Sequence, residues 1–245
     1  MFPIRDHNPS GRTPYVTYAL IATNIAIFLG YWPMLSDARA LSTFFLDWAM
    51  IPAKLTYTGD YVSLISSMFL HGGWMHLAGN MLFLYVFGDN LEDEMGALPY
   101  LVFYLACGIA AALAQWASEP YSMVPTVGAS GAIAGVMGGY LLLFPKAKVD
   151  ILIIIIVFVR ILPIPAWLML GLWFGFQIFG GLFTSTAGGG VAHWAHAGGF
   201  IAGVVFTLPL FLRRGGMQFW LRTGGKPPHP RYDYAATRIP TVRRK

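Results

Sequence analysis

The chain has 245 residues, of which 56% are hydrophobic and only 11% are charged. Soluble domains carry about 25% charged residues, so this composition excludes an ordinary soluble protein and predicts a polytopic membrane protein. The net charge of +5 does not indicate nucleic-acid binding, because the basic residues lie mostly in loops and in the tail. The single Cys107 excludes a disulfide framework and a cysteine-rich metal site.

The apolar runs predict an all-α fold with six transmembrane helices in one domain, residues 15–212. A short cytoplasmic segment, 1–14, precedes this domain, and a basic, disordered cytoplasmic tail, 213–245, follows it. The β-branched run 151–162 is too short for a span and is interpreted as an interfacial or re-entrant piece. The six predicted spans are 15–32, 74–91, 98–117, 128–144, 166–182 and 191–212.

The distribution of basic residues predicts the orientation of these spans. If the N-terminus lies inside, only Arg39 and Lys54 of the 16 Lys and Arg residues fall in outer segments. Inner loops carry the excess of Lys and Arg in membrane proteins, so both termini are expected in the cytoplasm. The second, fourth and sixth spans then begin at the outer face.

Ser130 opens the fourth span between two glycines, Gly128 and Gly131. At the first turn of a helix the backbone N–H of a serine has no intrahelical partner, and the positive end of the helix dipole lies beside it. A developing oxyanion could be stabilised at such a position. The same residues would equally suit a simple helix cap with close packing, so this stretch alone leaves both interpretations open.

Further polar residues lie at the depth of Ser130. His76 and Asn80 are four residues apart on one face of the second span, and His196 lies near the start of the sixth. Polar groups inside a bilayer are costly and by default indicate a functional site. A channel or carrier would need polar residues along its whole path, whereas the inner halves of these spans are apolar.

Two spans carry small residues at intervals of four, which permit close backbone contact between helices. If these faces pack together, Ser130 and His196 come within reach of one another. The residues are Gly131, Gly135 and Gly139 in the fourth span and Ala195, Gly199 and Gly203 in the sixth.

Three motifs occur along residues 61–212: His71-Gly-Gly-Trp-Met-His76-Leu-Ala-Gly-Asn80, Gly128-Ala129-Ser130-Gly131 and Ala195-His196-Ala197-Gly198-Gly199. Glu92, four residues before Gly96, adds a fourth feature. Together and in this order they resemble the rhomboid family of intramembrane serine proteases.

The resemblance implies that Ser130 is the nucleophile and His196 its general base, acting as a dyad. It also implies that His76, Asn80 and the backbone N–H of Ser130 form the oxyanion hole. The expected activity is that of a serine endopeptidase which cleaves single-pass transmembrane substrates near the outer face of the lipid bilayer. No metal or other cofactor is expected, and the expected location is the plasma membrane of a bacterium or an archaeon.

Some positions depart from the family pattern. Ala134 stands where some relatives carry a tyrosine that packs against the catalytic ring, so the support of His196 is left open. His193, one turn before His196, is expected to have an interfacial or a modulating role. Asn24 and Gln177 are expected to form interhelical hydrogen bonds.

Two other functions stay open at this stage, and the oligomeric state is not specified. A catalytically silent relative would bind transmembrane clients, but such a protein would lose Ser130 or His196. A metal site of four histidines would use His71 and His193 as well as His76 and His196, although their spacing makes a weak zinc signature. His71 is otherwise expected to be structural.

Overall fold

The computed structural model describes residues 2–8, 10–155, 158–184 and 190–227. Most of these residues are helical. The α-helices are α1 (Tyr15–Tyr31), α2 (Ala38–Trp48), α3 (Pro52–Thr58), α4 (Ser63–Ser66), α5 (Trp74–Met95), α6 (Ala97–Ser118), α7 (Ser130–Leu143), α8 (Ala166–Phe183), α9 (His193–Arg213) and α10 (Met217–Thr223). Short 3-10 turns, Trp32–Ser36 and Ser67–Phe69, follow α1 and α4.

Four helices within the described part of the chain are long and apolar enough to cross a membrane, namely α6, α8, α9 and α1 with its following turn. The protein is therefore an integral membrane protein. α7 is apolar but has only 14 residues, and α5 has 22 residues but ends in an acidic stretch. That these two helices also cross the bilayer, and that both termini are cytoplasmic, stay predictions.

The all-α expectation is wrong in one part, because the chain also forms a β-sheet. Its antiparallel strands are β1 (Phe2–Asp6), β2 (Lys148–Ile155) and β3 (Phe158–Pro165), in the order β1-β2-β3. Of the segment 151–162, interpreted from the sequence as an interfacial or re-entrant piece, residues 151–155 and 158–162 thus belong to two paired strands. The physical reason lies in the run of Ile and Val, whose branched side chains favour a pleated strand.

α7 is buried along almost its whole length, and its closest neighbour is α9. A Cβ at Gly199 would collide with the backbone carbonyl of Gly131, and one at Gly203 with that of Gly135. Only glycine allows the two backbones to approach so closely. This contact holds the first turns of α7 and α9 side by side.

The end of α5 is hydrogen-bonded to the start of α1. The carboxylate of Glu92 accepts hydrogen bonds from the backbone N–H groups of Val16 (2.9 Å) and Thr17 (2.8 Å), and from the Thr17 hydroxyl (2.8 Å). The first N–H groups of a helix lack intrahelical partners and carry partial positive charge. Glu92 therefore pairs them and fixes the register of α1 against α5.

A second set of hydrogen bonds attaches the N-terminal strand to α5 and α7. The Tyr140 hydroxyl donates to Asp6 Oδ2 (2.9 Å) and accepts from Asn8 Nδ2 (2.6 Å). Asn90 Nδ2 donates to Asp6 Oδ2 (2.9 Å) and to the Asn8 carbonyl (3.0 Å). We refer to Asp6, Asn8, Asn90 and Tyr140 as the N-terminal polar cluster.

α10 lies within the segment that the sequence predicts to be a disordered tail. Phe219 is buried, with its ring centroid 6.4 Å from that of Phe211 at the end of α9. Trp220 Nε1–H donates to the backbone carbonyl of Leu142 in α7 (3.0 Å). This part of the predicted tail therefore packs against the helices, while residues 228–245 lie outside the described part of the chain.

Candidate active site

Ser130 is the first residue of α7, and the loop before it is held by backbone hydrogen bonds. Gly128 N–H donates to the carbonyl of Ser67 (2.9 Å), and Thr126 pairs with Met50 in an isolated β-bridge. Gly128 has a φ of 129°, in the left-handed region that favours glycine. A loop pinned in this way fixes the position of the Ser130 hydroxyl.

The structure brings Ser130 and His196 together. Ser130 Oγ lies 2.7 Å from Nε2 of His196, which is in the first turn of α9. This distance is within hydrogen-bond reach, and a neutral imidazole can accept a hydroxyl proton there. The glycine contact between α7 and α9 is what places the two side chains on adjoining helix starts.

His76 and Asn80 lie beside this pair, on the first two turns of α5. Gly72 N–H donates to Nδ1 of His76 (3.3 Å), so the proton of a neutral ring is on Nε2. A Cβ at Gly128 would lie 2.8 Å from that Nε2, which shows how closely the ring approaches the loop before Ser130.

Asn80 is buried, and none of the residues that the structure describes offers an acceptor to its Nδ2. Buried polar groups are normally hydrogen-bonded, because an unpaired one costs free energy of folding. An amide that keeps an unpaired N–H in a cavity is therefore available to a ligand oxygen.

A cavity of about 480 Å³ is lined by all four of these side chains, His76, Asn80, Ser130 and His196. Its volume is in the range of small-molecule and peptide-side-chain pockets. Apolar side chains complete the lining, among them Phe83, Met137 and Trp173. A polypeptide segment entering this cavity would meet the serine hydroxyl and the N–H donors together.

Two residues of α8 contact the ring of His196, and the sequence did not identify either as part of the site. The Trp173 ring faces it, with centroids 5.7 Å apart and planes at 33°. Gln177, expected only to form an interhelical hydrogen bond, has its Oε1 2.9 Å from Nδ1 of His196. The spacing of four puts both residues on one helix face, but the sequence does not tell which face of α8 meets α9.

The other two histidines of the sequence analysis are His71, whose ring contacts that of His76 with centroids 5.2 Å apart, and His193. The His71 backbone binds Tyr31, whose hydroxyl donates to the carbonyl (2.8 Å) and accepts from the N–H (2.6 Å). His193 Nδ1 lies 2.9 Å from Gln177 Oε1. Within the described ranges, no group of three His, Cys, Asp or Glu residues has the arrangement needed to hold a metal ion.

Comparison with known proteins gives a consistent set of relatives. A family model described as "Rhomboid domain" matches residues 58–213. Over 200 residues the chain is 32% identical to "Rhomboid protein 1, mitochondrial" of Saccharomyces cerevisiae, covering 78% of this chain and 52% of that protein. It is 35% identical over 131 residues to "Rhomboid protease GluP" of Bacillus subtilis, covering 52% of this chain and 24% of that protein.

A third relative is "Rhomboid protease AarA" of Providencia stuartii, which is 28% identical over 148 residues. That alignment covers 55% of this chain and 53% of the relative. The chain thus spans about half or less of the length of each of these three relatives.

Proposed function

Because the chain belongs to the rhomboid family, we propose that it is an intramembrane serine endopeptidase. Its substrates are single-pass transmembrane proteins, cleaved near the outer face of the membrane. The observation that carries this proposal is the 2.7 Å distance between Ser130 Oγ and His196 Nε2 at a cavity lined by further N–H donors.

The proposed reaction begins when His196 Nε2 accepts the proton of the Ser130 hydroxyl as Oγ attacks the scissile carbonyl carbon. The imidazolium then gives this proton to the leaving amine, which breaks the peptide bond and leaves an acyl-enzyme. In the second half, Nε2 takes a proton from water as the water oxygen attacks the acyl carbon. The imidazolium then returns this proton to Oγ as the ester bond breaks, which releases the acid product and restores the Ser130 hydroxyl.

The negative charge of each tetrahedral intermediate needs donors already in place. The proposed oxyanion hole consists of the Ser130 backbone N–H, His76 Nε2–H and Asn80 Nδ2–H. The unpaired state of Asn80 Nδ2 among the described residues supports this role, because the donor need not break another hydrogen bond when charge develops. The start of α7 adds the positive end of a helix dipole.

We further propose that α1 and α5 to α9 form a six-helix membrane bundle with both termini in the cytoplasm. The basic residues support this orientation, since only Arg39 and Lys54 fall in outer segments. The proposed location is the plasma membrane of a bacterium or an archaeon. Membrane fractionation and protease accessibility of tags at the two termini test these statements.

The activity is tested with the purified full chain in liposomes together with a model single-pass substrate. We expect cleavage by the wild type, loss of cleavage with Ser130→Ala and with His196→Ala, and normal cleavage with Ser36→Ala, an exposed serine outside the site. Addition of EDTA is expected to leave the rate unchanged. Cleavage by Ser130→Ala would refute the nucleophile, and an inactive wild type that still binds the substrate would indicate a silent client-binding protein.

A further inference from the structure

Gln177 is the polar residue of α8 that contacts the base. Its side chain is buried, and its Oε1 lies 2.9 Å from Nδ1 of His196 and 2.9 Å from Nδ1 of His193. The amide oxygen therefore faces two imidazole rings at once. An amide oxygen has two lone pairs and no proton, so it accepts one N–H from each ring.

This contact determines which nitrogen of His196 carries the proton. If Nδ1 donates to Gln177, the neutral ring has its proton on Nδ1 and a lone pair on Nε2. Nε2 is the atom that lies 2.7 Å from Ser130 Oγ. The lone pair thus points at the hydroxyl proton, which is the state that a general base needs.

His193 keeps the amide in this orientation. Both lone pairs of Gln177 Oε1 are used, one by each ring, so rotation of the amide would break two hydrogen bonds at once. The two histidines are three residues apart at the start of α9 and present their Nδ1 atoms to the same acceptor. His193 therefore acts on the base through Gln177.

Trp173 supports the plane of the same ring. It lies one turn before Gln177 on α8, and its ring also contacts Phe200 of α9, with centroids 6.0 Å apart. Ala134 of α7, by contrast, has only a methyl group. The support of His196 accordingly comes from α8.

We propose that Gln177 is a positioning residue, which sets the tautomer of His196 through its amide oxygen while Trp173 holds the plane of the ring. The proposal rests on the proposed function, since the tautomer matters to turnover only if His196 is the general base. Gln177 itself does not touch the substrate in this account.

Two substitutions of Gln177 distinguish a role in positioning the His196 ring from a role in packing alone. Gln177→Leu keeps the size of the side chain and removes the acceptor, so we expect kcat to fall about 10- to 100-fold, as for loss of a hydrogen bond to a charged group, with KM nearly unchanged. Gln177→Glu keeps an acceptor and adds a negative charge, which favours the imidazolium. We therefore expect it to retain more activity than Gln177→Leu and to move the acidic limb of the kcat/KM profile to higher pH.

Gln115→Leu is the matched control. Gln115 is also a buried glutamine that binds α9, but its Oε1 accepts from the backbone N–H of Ala195 (3.2 Å) and not from a ring. Loss of this hydrogen bond is expected to change the stability of the protein, while the acidic limb of the kcat/KM profile stays at the same pH as in the wild type. A wild-type kcat in Gln177→Leu, or an unmoved limb in Gln177→Glu, would overturn the proposal.

A measurement on the wild-type protein covers the case in which the Gln177 variants do not fold. The ¹⁵N chemical shifts of the His196 ring, assigned by comparison with His196→Ala, report which nitrogen is protonated. We expect a protonated Nδ1 and a bare Nε2 at neutral pH; a protonated Nε2 would refute the proposal. This readout needs no proteolysis, so it stays decisive even if the wild type fails to cleave, which would refute only the proposed function.

Discussion

Two asparagines of α5, ten residues apart, have opposite surroundings. Asn90 is buried in the N-terminal polar cluster, where its Nδ2 lies within 3.0 Å of acceptors on Asp6, Asn8 and Asp89. Asn80 is buried beside Ser130, and its Nδ2 meets no acceptor among the described residues. At the C-terminal end of α5 the amide of Asn90 thus stabilises the fold. At the N-terminal end the amide of Asn80 has an unpaired N–H, which lowers the stability of the fold.

The two ends of α7 differ in the same way as the two ends of α5. Tyr140, near its C-terminal end, uses its hydroxyl both to donate and to accept within the N-terminal polar cluster. Ser130, ten residues earlier and about 15 Å away along the axis, has its hydroxyl against a base at the cavity. The difference suggests that the reactive end and the structural end of the bundle respond separately to mutation.

The largest expected effect comes from exchanging the two asparagines for alanine one at a time. Asn80→Ala removes a proposed oxyanion donor, so kcat should fall about 10²- to 10³-fold, with a melting temperature at or above that of the wild type. Asn90→Ala removes the hydrogen bonds from Nδ2 to Asp6 and Asn8 and should lower stability by about 1–3 kcal/mol, with little change in kcat. Turnover and thermal unfolding in detergent measure both.

A loss of stability in Asn80→Ala together with a loss of kcat in Asn90→Ala would contradict the proposed difference between the two ends of α5. An Asn80→Ala variant with normal turnover would make Asn80 a packing residue. A loss of kcat in folded Asn90→Ala would mean that the two ends of α5 are coupled.

A second prediction concerns the contact that joins the reactive ends of α7 and α9. Gly199→Ala places a methyl group against the Gly131 carbonyl, which forces the two backbones apart. A displacement of about 1 Å between the base and the nucleophile can lower kcat by about 10²-fold, and overpacking costs about 1–3 kcal/mol of stability.

The control for this prediction is Gly175→Ala on α8. A Cβ at Gly175 meets no atom of the described structure within 4 Å, so the substitution tests only the helix propensity. It should leave turnover unchanged and stabilise the helix slightly. Equal activity in the two variants would show that close approach of α7 and α9 is not required for catalysis.

The smallest expected effect on activity is at the structural end, where the stability of the fold depends on pH. Burial and the nearby carboxylate of Asp89 raise the pKa of Asp6 from 3.8 to about 7. The folded state therefore holds a proton that the unfolded state releases near pH 4, and the folded state loses stability as the pH rises from about 4 through 7.

Asp6→Asn removes this titration. The melting temperature of the wild type, measured relative to that of Asp6→Asn, should therefore decrease between pH 4 and pH 8. A pKa that rises from 3.8 to about 7 corresponds to about 4 kcal/mol of stability, or about 8–16 °C in a chain of this size. A difference that stays constant with pH would show that Asp6 has an ordinary pKa in the folded protein.

The sequence predicted where the helices lie because apolar runs are a local signal, and four of the helices are long and apolar enough to cross a membrane. It also grouped His76, Asn80, Ser130 and His196, because three motifs begin at the same predicted depth. The two residues of α8 that contact the ring of His196 were missed for a physical reason. Trp173 and Gln177 lie on an otherwise apolar helix, and periodicity does not tell which of its faces turns inward.

The sheet was missed for a different reason. Strands β2 and β3 come from a largely apolar run of the sequence. Such a run resembles a membrane segment, because the pairing of its β-branched residues with another strand is not visible in the local sequence. β2 pairs with the neighbouring β3 and also with β1, which is more than 140 residues away in the chain, where Phe2 pairs with Leu152. Such long-range pairing leaves no periodic signal in the sequence.

Covalent labelling of Ser130 tests the central claim most directly. The purified protein is treated with a fluorophosphonate, which reacts with activated serines, and the modified peptide is identified by mass spectrometry. We expect a single labelled site, Ser130, with labelling abolished in Ser130→Ala and strongly slowed in His196→Ala. Labelling at another serine, or labelling of Ser130 at the same rate without His196, would contradict it.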